Sequence, residues 1–193
     1  MVPHKPKRLN PKDVIGLISP ASSPDEYLRV ERGVKYLESL GYRVKVGNNV
    51  GKGYGYLAGT DQERLDDLHS MFKDKTVKAI FTLRGGYGAF RMLDKINYNL
   101  IKNNPKIVCG YSDITALNNA IYAKTGLVTY SGPHYSTFGQ KELDPYTPEY
   151  LRKCLFKDTS FEIVPSKRWT DDAWYRDQDN RNYIENDGYW IVN

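Results

Sequence analysis

Short apolar runs alternate with longer amphipathic stretches along most of this chain. Residues 14–19 (Val-Ile-Gly-Leu-Ile-Ser) read as a buried strand. Residues 25–40 follow at helical spacing, with Val30, Val34, Leu37 and Leu40 on one face and Gly41 as the stop. Residues 43–46 read as a second strand. Thr60-Asp-Gln-Glu63 fits a capping box and opens a helix over 61–73, with Leu65 and Leu68 on its apolar face. A third strand covers 77–83 and a short helix 89–93. A fourth strand covers 107–109, and a helix with Ile114, Leu117 and Ile121 on one face runs to about Lys124, closed by Gly126. A fifth strand is expected over 127–130. This alternation predicts an α/β fold, a parallel sheet with helices on both faces.

Beyond about residue 140 the pattern changes. Residues 146–156 fit one more amphipathic helix, 161–164 an edge strand, and 188–192 the first strand of a new unit. Residues 169–178 are polar, aromatic and aperiodic. Three segments result: a basic, mobile tail over 1–12, an α/β unit over 13–140, and a helix, linker and beginning of a further unit over 141–193.

Composition narrows the function classes. The 193 residues carry a net charge of +5, with 40% hydrophobic and 26% charged residues, which suits a globular domain. Part of the positive excess sits in His4-Lys-Pro-Lys-Arg8; elsewhere Lys and Arg mix with Asp and Glu, unlike a nucleic-acid-binding arm. No apolar run is long enough to span a membrane and no signal-peptide core is present, so the cytoplasm is the default expectation. Cys109 and Cys154 both read as buried small hydrophobes, too few for a disulfide framework or zinc spacing. The 16 tyrosines gather in loop-like stretches such as Tyr54-Gly-Tyr56.

Candidate chemistry lies where strands end, because parallel sheets form sites at their carboxyl edges. Gly110-Tyr-Ser-Asp113 joins the fourth strand to the next helix. Ser112 reads there in two ways: as the helix N-cap, or as a nucleophile beside free helix-start N–H groups. With Ile114 two residues on, the G-x-S-x-G elbow is half present. Arg84-Gly-Gly-Tyr-Gly88 matches neither the Walker pattern nor G-x-G-x-x-G. It reads as a tight turn, as a phosphate cradle, or as the second donor of an oxyanion hole with the N–H groups of Gly86 and Asp113. A serine nucleophile needs a base, and the chain has three histidines. His4 lies in the tail, His69 on the solvent side of its helix, and His134 in the loop after the fifth strand. Spacing alone assembles no triad from them.

Four segments in this order and spacing carry a resemblance: Arg84-Gly-Gly-Tyr-Gly88, Asn104-Pro-Lys106, Gly110-Tyr-Ser-Asp-Ile-Thr-Ala-Leu117 and Thr125-Gly-Leu-Val-Thr-Tyr-Ser-Gly-Pro133. Together they resemble the LD-carboxypeptidase family of serine peptidases. Phe138-Gly-Gln-Lys141 and residues 169–178 look more like its microcin C immunity branch than its murein tetrapeptide carboxypeptidases. The resemblance implies a flavodoxin-like, Rossmann-like nucleophile domain followed by a β-rich C-terminal domain. It implies Ser112 as nucleophile, the backbone amides of Asp113 and Gly86 as oxyanion hole, and substrate contacts at Gly85, Tyr87 and Trp174. It implies no metal and no cofactor. The substrate class is a small peptide or a peptidyl- or aminoacyl-nucleotide amide, with no nucleic-acid or membrane partner and a homodimer as one assembly. The family triad is Ser-His-Glu, and its Glu and His lie past the point matched by Asn193. The chain is therefore expected to hold the nucleophile without its partners and to have little activity alone. Two alternatives stay open: a murein tetrapeptide carboxypeptidase, and a non-catalytic α/β module that binds a nucleotide at residues 85–88.

Overall fold

Burial on both faces governs the centre of the molecule. In the computed structural model, which describes residues 2–23, 27–157, 159–173 and 177–188, every residue of β1 (Val14–Ile18) and β4 (Ile107–Cys109) is buried. So is all of β3 (Val77–Thr82) except Lys78. β2 (Arg43–Val46) is the exposed edge. The four strands are parallel in the order β2-β1-β3-β4. That is the flavodoxin-like order, and its switch point falls between β1 and β3.

Side chains of successive strand residues enter opposite cores. Ile18, Ile80 and Val108 pack with residues of α2 (Asp61–Lys73) and α4 (Ile114–Thr125), such as Leu68, Phe72 and Ile121. A short helix α3 (Tyr98–Lys102) adds Ile101 to that core. Leu17, Phe81 and Ile107 pack on the other face with Leu37 of α1 (Tyr27–Ser39) and Leu155 of α5 (Tyr146–Phe156). Each fully buried Leu, Ile or Phe stabilises the fold by roughly 1.5–3 kcal/mol. Local signals act as the sequence suggests: the Thr60–Glu63 capping box is closed in both directions, and Gly126 ends α4 at φ +77°.

Several expectations are corrected. Residues 127–130 form isolated parallel bridges rather than a full strand: Tyr130 pairs with Cys109, and Leu127 with His4. The outer side of this segment is thus covered by the N-terminal segment, which lies against the domain instead of trailing free. Leu9 is buried, and its N–H donates to the Leu155 carbonyl at 3.0 Å. Residues 89–93 belong to a 3₁₀ helix, Ala89–Lys95, not an α-helix. Leu40 lies beyond α1 and is 44% exposed. Cys154 is exposed although Cys109 is buried. Residues 161–164 form no strand, because tyrosine hydroxyls satisfy Val164 instead: its N–H donates to Tyr150 Oη at 2.7 Å and its carbonyl accepts from Tyr146 Oη at 2.7 Å. Short strands β5 (Arg168–Trp169) and β6 (Ile184–Glu185) pair antiparallel. Of the strand expected over 188–192, all but Gly188 lies outside the described residues.

Candidate active site

Three loops meet at the carboxyl ends of β1, β3 and β4, and hydrogen bonds tie them together. The Ser22 N–H donates to the Gly85 carbonyl at 3.2 Å, and the Tyr87 N–H donates to Ser22 Oγ at 3.1 Å. The Arg84 guanidinium donates to the Ser23 carbonyl at 3.2 Å. The Ala89 N–H donates to Asp113 Oδ2 at 2.8 Å, which pins the turn after β4 to the glycine loop after β3.

Ser112 stands at the centre. Its backbone has φ +60°, a left-handed conformation that a side chain makes unfavourable. It is exposed and does not cap α4; the N-cap is Asp113, whose own side chain is committed to Ala89. The strained, open corner therefore displaces the capping reading. Gly85 faces it directly. A methyl group added at Gly85 would come within 2.9 Å of Ser112 Cβ, 3.0 Å of Ser112 Oγ and 3.3 Å of the Asp113 nitrogen. Only a bare backbone fits there. Gly86 has φ +105°, and a side chain on it would collide with Ser22. Among the described residues, neither the Gly86 nor the Asp113 amide donates a hydrogen bond to the protein. Two N–H groups on the loops that carry this exposed hydroxyl are thus left without a protein acceptor.

Arg64 builds this site unseen from the sequence, where it sits among Asp61, Glu63 and Asp66 as though on a solvated face. It is fully buried. It donates to the carbonyls of Pro20 at 2.7 Å and Gly88 at 2.9 Å, and pairs with Asp61 at 2.5 Å. One guanidinium fork so fixes the loop after β1 and the end of the glycine loop. Tyr54, Tyr56, Tyr87, Phe90 and Tyr111 are exposed aromatics on these loops and their neighbours, and Tyr56 meets Tyr87 edge to face at 6.1 Å. Trp174 lies outside the described residues.

The histidines do not complete a triad. None of the three is hydrogen-bonded to Ser112 among the described residues. His69 accepts from the Asn97 N–H at 3.0 Å. His134 is 4% exposed, stacks on Tyr111 at 4.1 Å between ring centres, and reaches Thr82 Oγ1 with Nδ1 at 3.2 Å. The Thr82 hydroxyl also reaches the Cys109 carbonyl, at 3.2 Å. Burial, and then the charge of Arg84, lowers the His134 pKa to about 4. Burial also pushes the Cys109 thiol up to about 12, which makes it an apolar filler rather than a nucleophile.

That histidine predicts a pH dependence. Its folded pKa lies below its ordinary 6.5, so the unfolded chain takes up the proton first as pH falls. The contribution is complete above about pH 6.5 and is lost as pH drops toward 4, to a total of about 3 kcal/mol. Urea unfolding of His134→Gln should show a flatter decline over that window than the parent chain. Parallel slopes in the two proteins would refute the assignment.

The pattern for the LD-carboxypeptidase N-terminal domain matches residues 15–132. A putative carboxypeptidase of Bacillus subtilis, YocD, is 46% identical over 188 residues, covering 96% of this chain and 58% of its own length. A probable murein peptide carboxypeptidase of the same organism is 44% identical over 175 residues, covering 85% and 54%. The crystal structure of an MccF-like protein from Bacillus anthracis superposes with a TM-score of 0.92 at 44% identity, covering 96% of this chain and 57% of that one. The microcin C7 self-immunity protein MccF, solved in complex with aspartyl sulfamoyl adenosine, superposes at 0.89 with 31% identity, covering 96% and 58%. The chain spans about half the length of the curated relatives it matches.

Proposed function

The chain belongs to the LD-carboxypeptidase family, and from that premise we propose that it supplies the nucleophile and oxyanion hole of a serine amidase acting on aminoacyl- or peptidyl-nucleotide amides. The observation that carries this reading is Ser112: exposed, held at φ +60°, and faced by the bare backbone of Gly85. In this reading Ser112 Oγ attacks the amide carbonyl, and the N–H groups of Asp113 and Gly86 hold the developing oxyanion. The amine leaves with a proton, and water then releases the acyl group from Ser112. Gly85 gives the carbonyl room to approach, and Tyr87 offers an apolar face to the substrate at the rim. Trp174 is assigned to the nucleotide base by family resemblance alone. No step calls for a metal or cofactor.

The substrate class is supported by the likeness to MccF, whose solved complex holds an aminoacyl nucleotide analogue. The base is assigned to the part of the relatives' length that this chain does not span, since none of its three histidines reaches Ser112. Hydrolysis of aspartyl sulfamoyl adenosine should therefore be barely measurable with the chain alone. It should appear when the chain is joined to the C-terminal half that its relatives carry. Rapid turnover by the chain alone, lost in His134→Gln, would overturn this assignment and make His134 the base. A second reading, murein tetrapeptide cleavage, is favoured by the 44% identity to the probable murein peptide carboxypeptidase. Release of D-Ala from a tetrapeptide, faster than cleavage of the nucleotide amide, would select it.

A further inference from the structure

The opposite pole of the sheet carries a second concentration of chemistry that the amidase reading does not use. A groove of about 610 Å³ opens at the amino ends of β3 and β4. Three separate stretches of backbone bring cations to it: Lys5, Lys7 and Arg8 from the N-terminal segment, Lys75 and Lys78 around the start of β3, and Lys106 just before β4. Against these six cations the lining holds one carboxylate, Asp13, which already accepts from the Asn10 N–H at 2.8 Å. The whole chain has a net charge of only +5, so this groove concentrates a surplus that is balanced elsewhere.

Lys106 is the unusual member. It is 5% exposed, and its ammonium donates to the carbonyls of Met71 and Asp74. Burial lowers its pKa to about 8, and the neighbouring charges of Lys78, Lys75 and Lys45 add to that effect against an opposing pull from Asp74. A buried ammonium, its pKa lowered to about 8, thus shares the groove with five further cations. The repulsion is unfavourable for folding and would be relieved by an anion in the groove.

We propose that this groove binds a short chain of linked phosphates. Five of its six cations are lysines, which act as point charges and suit the several outward oxygens of tetrahedral phosphate more than a planar carboxylate. Cations supplied to one groove by three separate segments can surround such a group, although the ammonium groups of Lys75, Lys78 and Lys106 also donate to Asn104 Oδ1 and to the carbonyls of Lys75, Met71 and Asp74. No aromatic side chain lines the groove, so there is no stacking platform for a nucleic-acid base. The site lies at the other ends of the strands from Ser112, and its occupancy is independent of the amidase reading.

Titration calorimetry with sodium tripolyphosphate at low ionic strength tests the proposal. The parent chain and Ser112→Ala should bind it equally, and more weakly as salt is added. Lys75→Gln/Lys78→Gln should bind at least about tenfold more weakly, whereas Lys35→Gln/Lys124→Gln, which removes two exposed cations elsewhere, should bind as the parent does. An oligomer of glycerol phosphate run beside it tells a polyol-phosphate source from inorganic polyphosphate; binding of either with this mutational pattern supports the site. Absence of binding to both, equal weakening in the two double variants, or tighter binding of polyglutamate or a DNA oligomer would overturn it.

Discussion

Replacing Ser112 by alanine should lower amide hydrolysis about 10⁴-fold or more in a protein that joins this chain to the C-terminal half of its relatives. The fall should lie in kcat rather than in KM, because the hydroxyl forms its bond only during reaction. The backbone argument supplies a second readout. A non-glycine residue at φ +60° carries strain of about 1 kcal/mol, held in place by the surrounding loops. Ser112→Ala keeps a Cβ and should leave stability nearly unchanged. Ser112→Gly removes it and should raise the melting temperature by about 2–4 °C while abolishing activity. More stability and no catalysis in one variant would mark the corner as shaped for the hydroxyl. Retention of a tenth or more of the activity in Ser112→Ala would remove Ser112 from the nucleophile role.

Arg64→Met should be the most destabilising single change outside the apolar core, by about 3 kcal/mol. The guanidinium is buried and donates to the carbonyl of Pro20, which accepts from no other group among the described residues, and to that of Gly88, which it shares with the Arg91 N–H at 3.2 Å. Leaving the Pro20 carbonyl unsatisfied costs about 1–3 kcal/mol, and the lost bonds to Gly88 and Asp61 add to it. Asp61 offsets part of the loss because Arg91 at 2.9 Å and Lys95 at 3.4 Å still pair with it. Arg64→Lys should rescue little, since one ammonium on a shorter reach cannot span both carbonyls and Asp61. Denaturant unfolding measures the first effect, and a loss below about 1 kcal/mol would contradict it. In the joined protein, the loosened glycine loop should also lower kcat, because the Gly86 amide would no longer be held in place.

Where the sequence was legible, the reason is local. The Thr60–Glu63 box, the stop at Gly126 and the buried runs of β1, β3 and β4 each depend on neighbours within a few residues. The cluster at the carboxyl ends followed from parallel topology. The misreadings have long-range causes. Leu127–Tyr130 looked like a strand, yet its outer partner is the His4 segment, more than a hundred residues away. Residues 161–164 alternate as a strand would, but two tyrosine hydroxyls of α5 reach Val164 first. His134 reads as a loop histidine and is buried against Tyr111 and Thr82.

The sequence by itself determined the α/β pattern, the glycine loop, the Gly110–Asp113 turn and the family they belong to. These rest on periodicity and on residue types at fixed spacing, which a linear chain records directly. Tertiary structure alone decided that Ser112 is a strained corner rather than a helix cap, because its φ is imposed by loops from three strands. It alone turned Arg64 from a surface charge into the clamp of the site. It also gathered Lys5, Lys7, Arg8, Lys75, Lys78 and Lys106 into one groove. Burial and charge density depend on which distant segments share a volume, and no window along the chain contains that information.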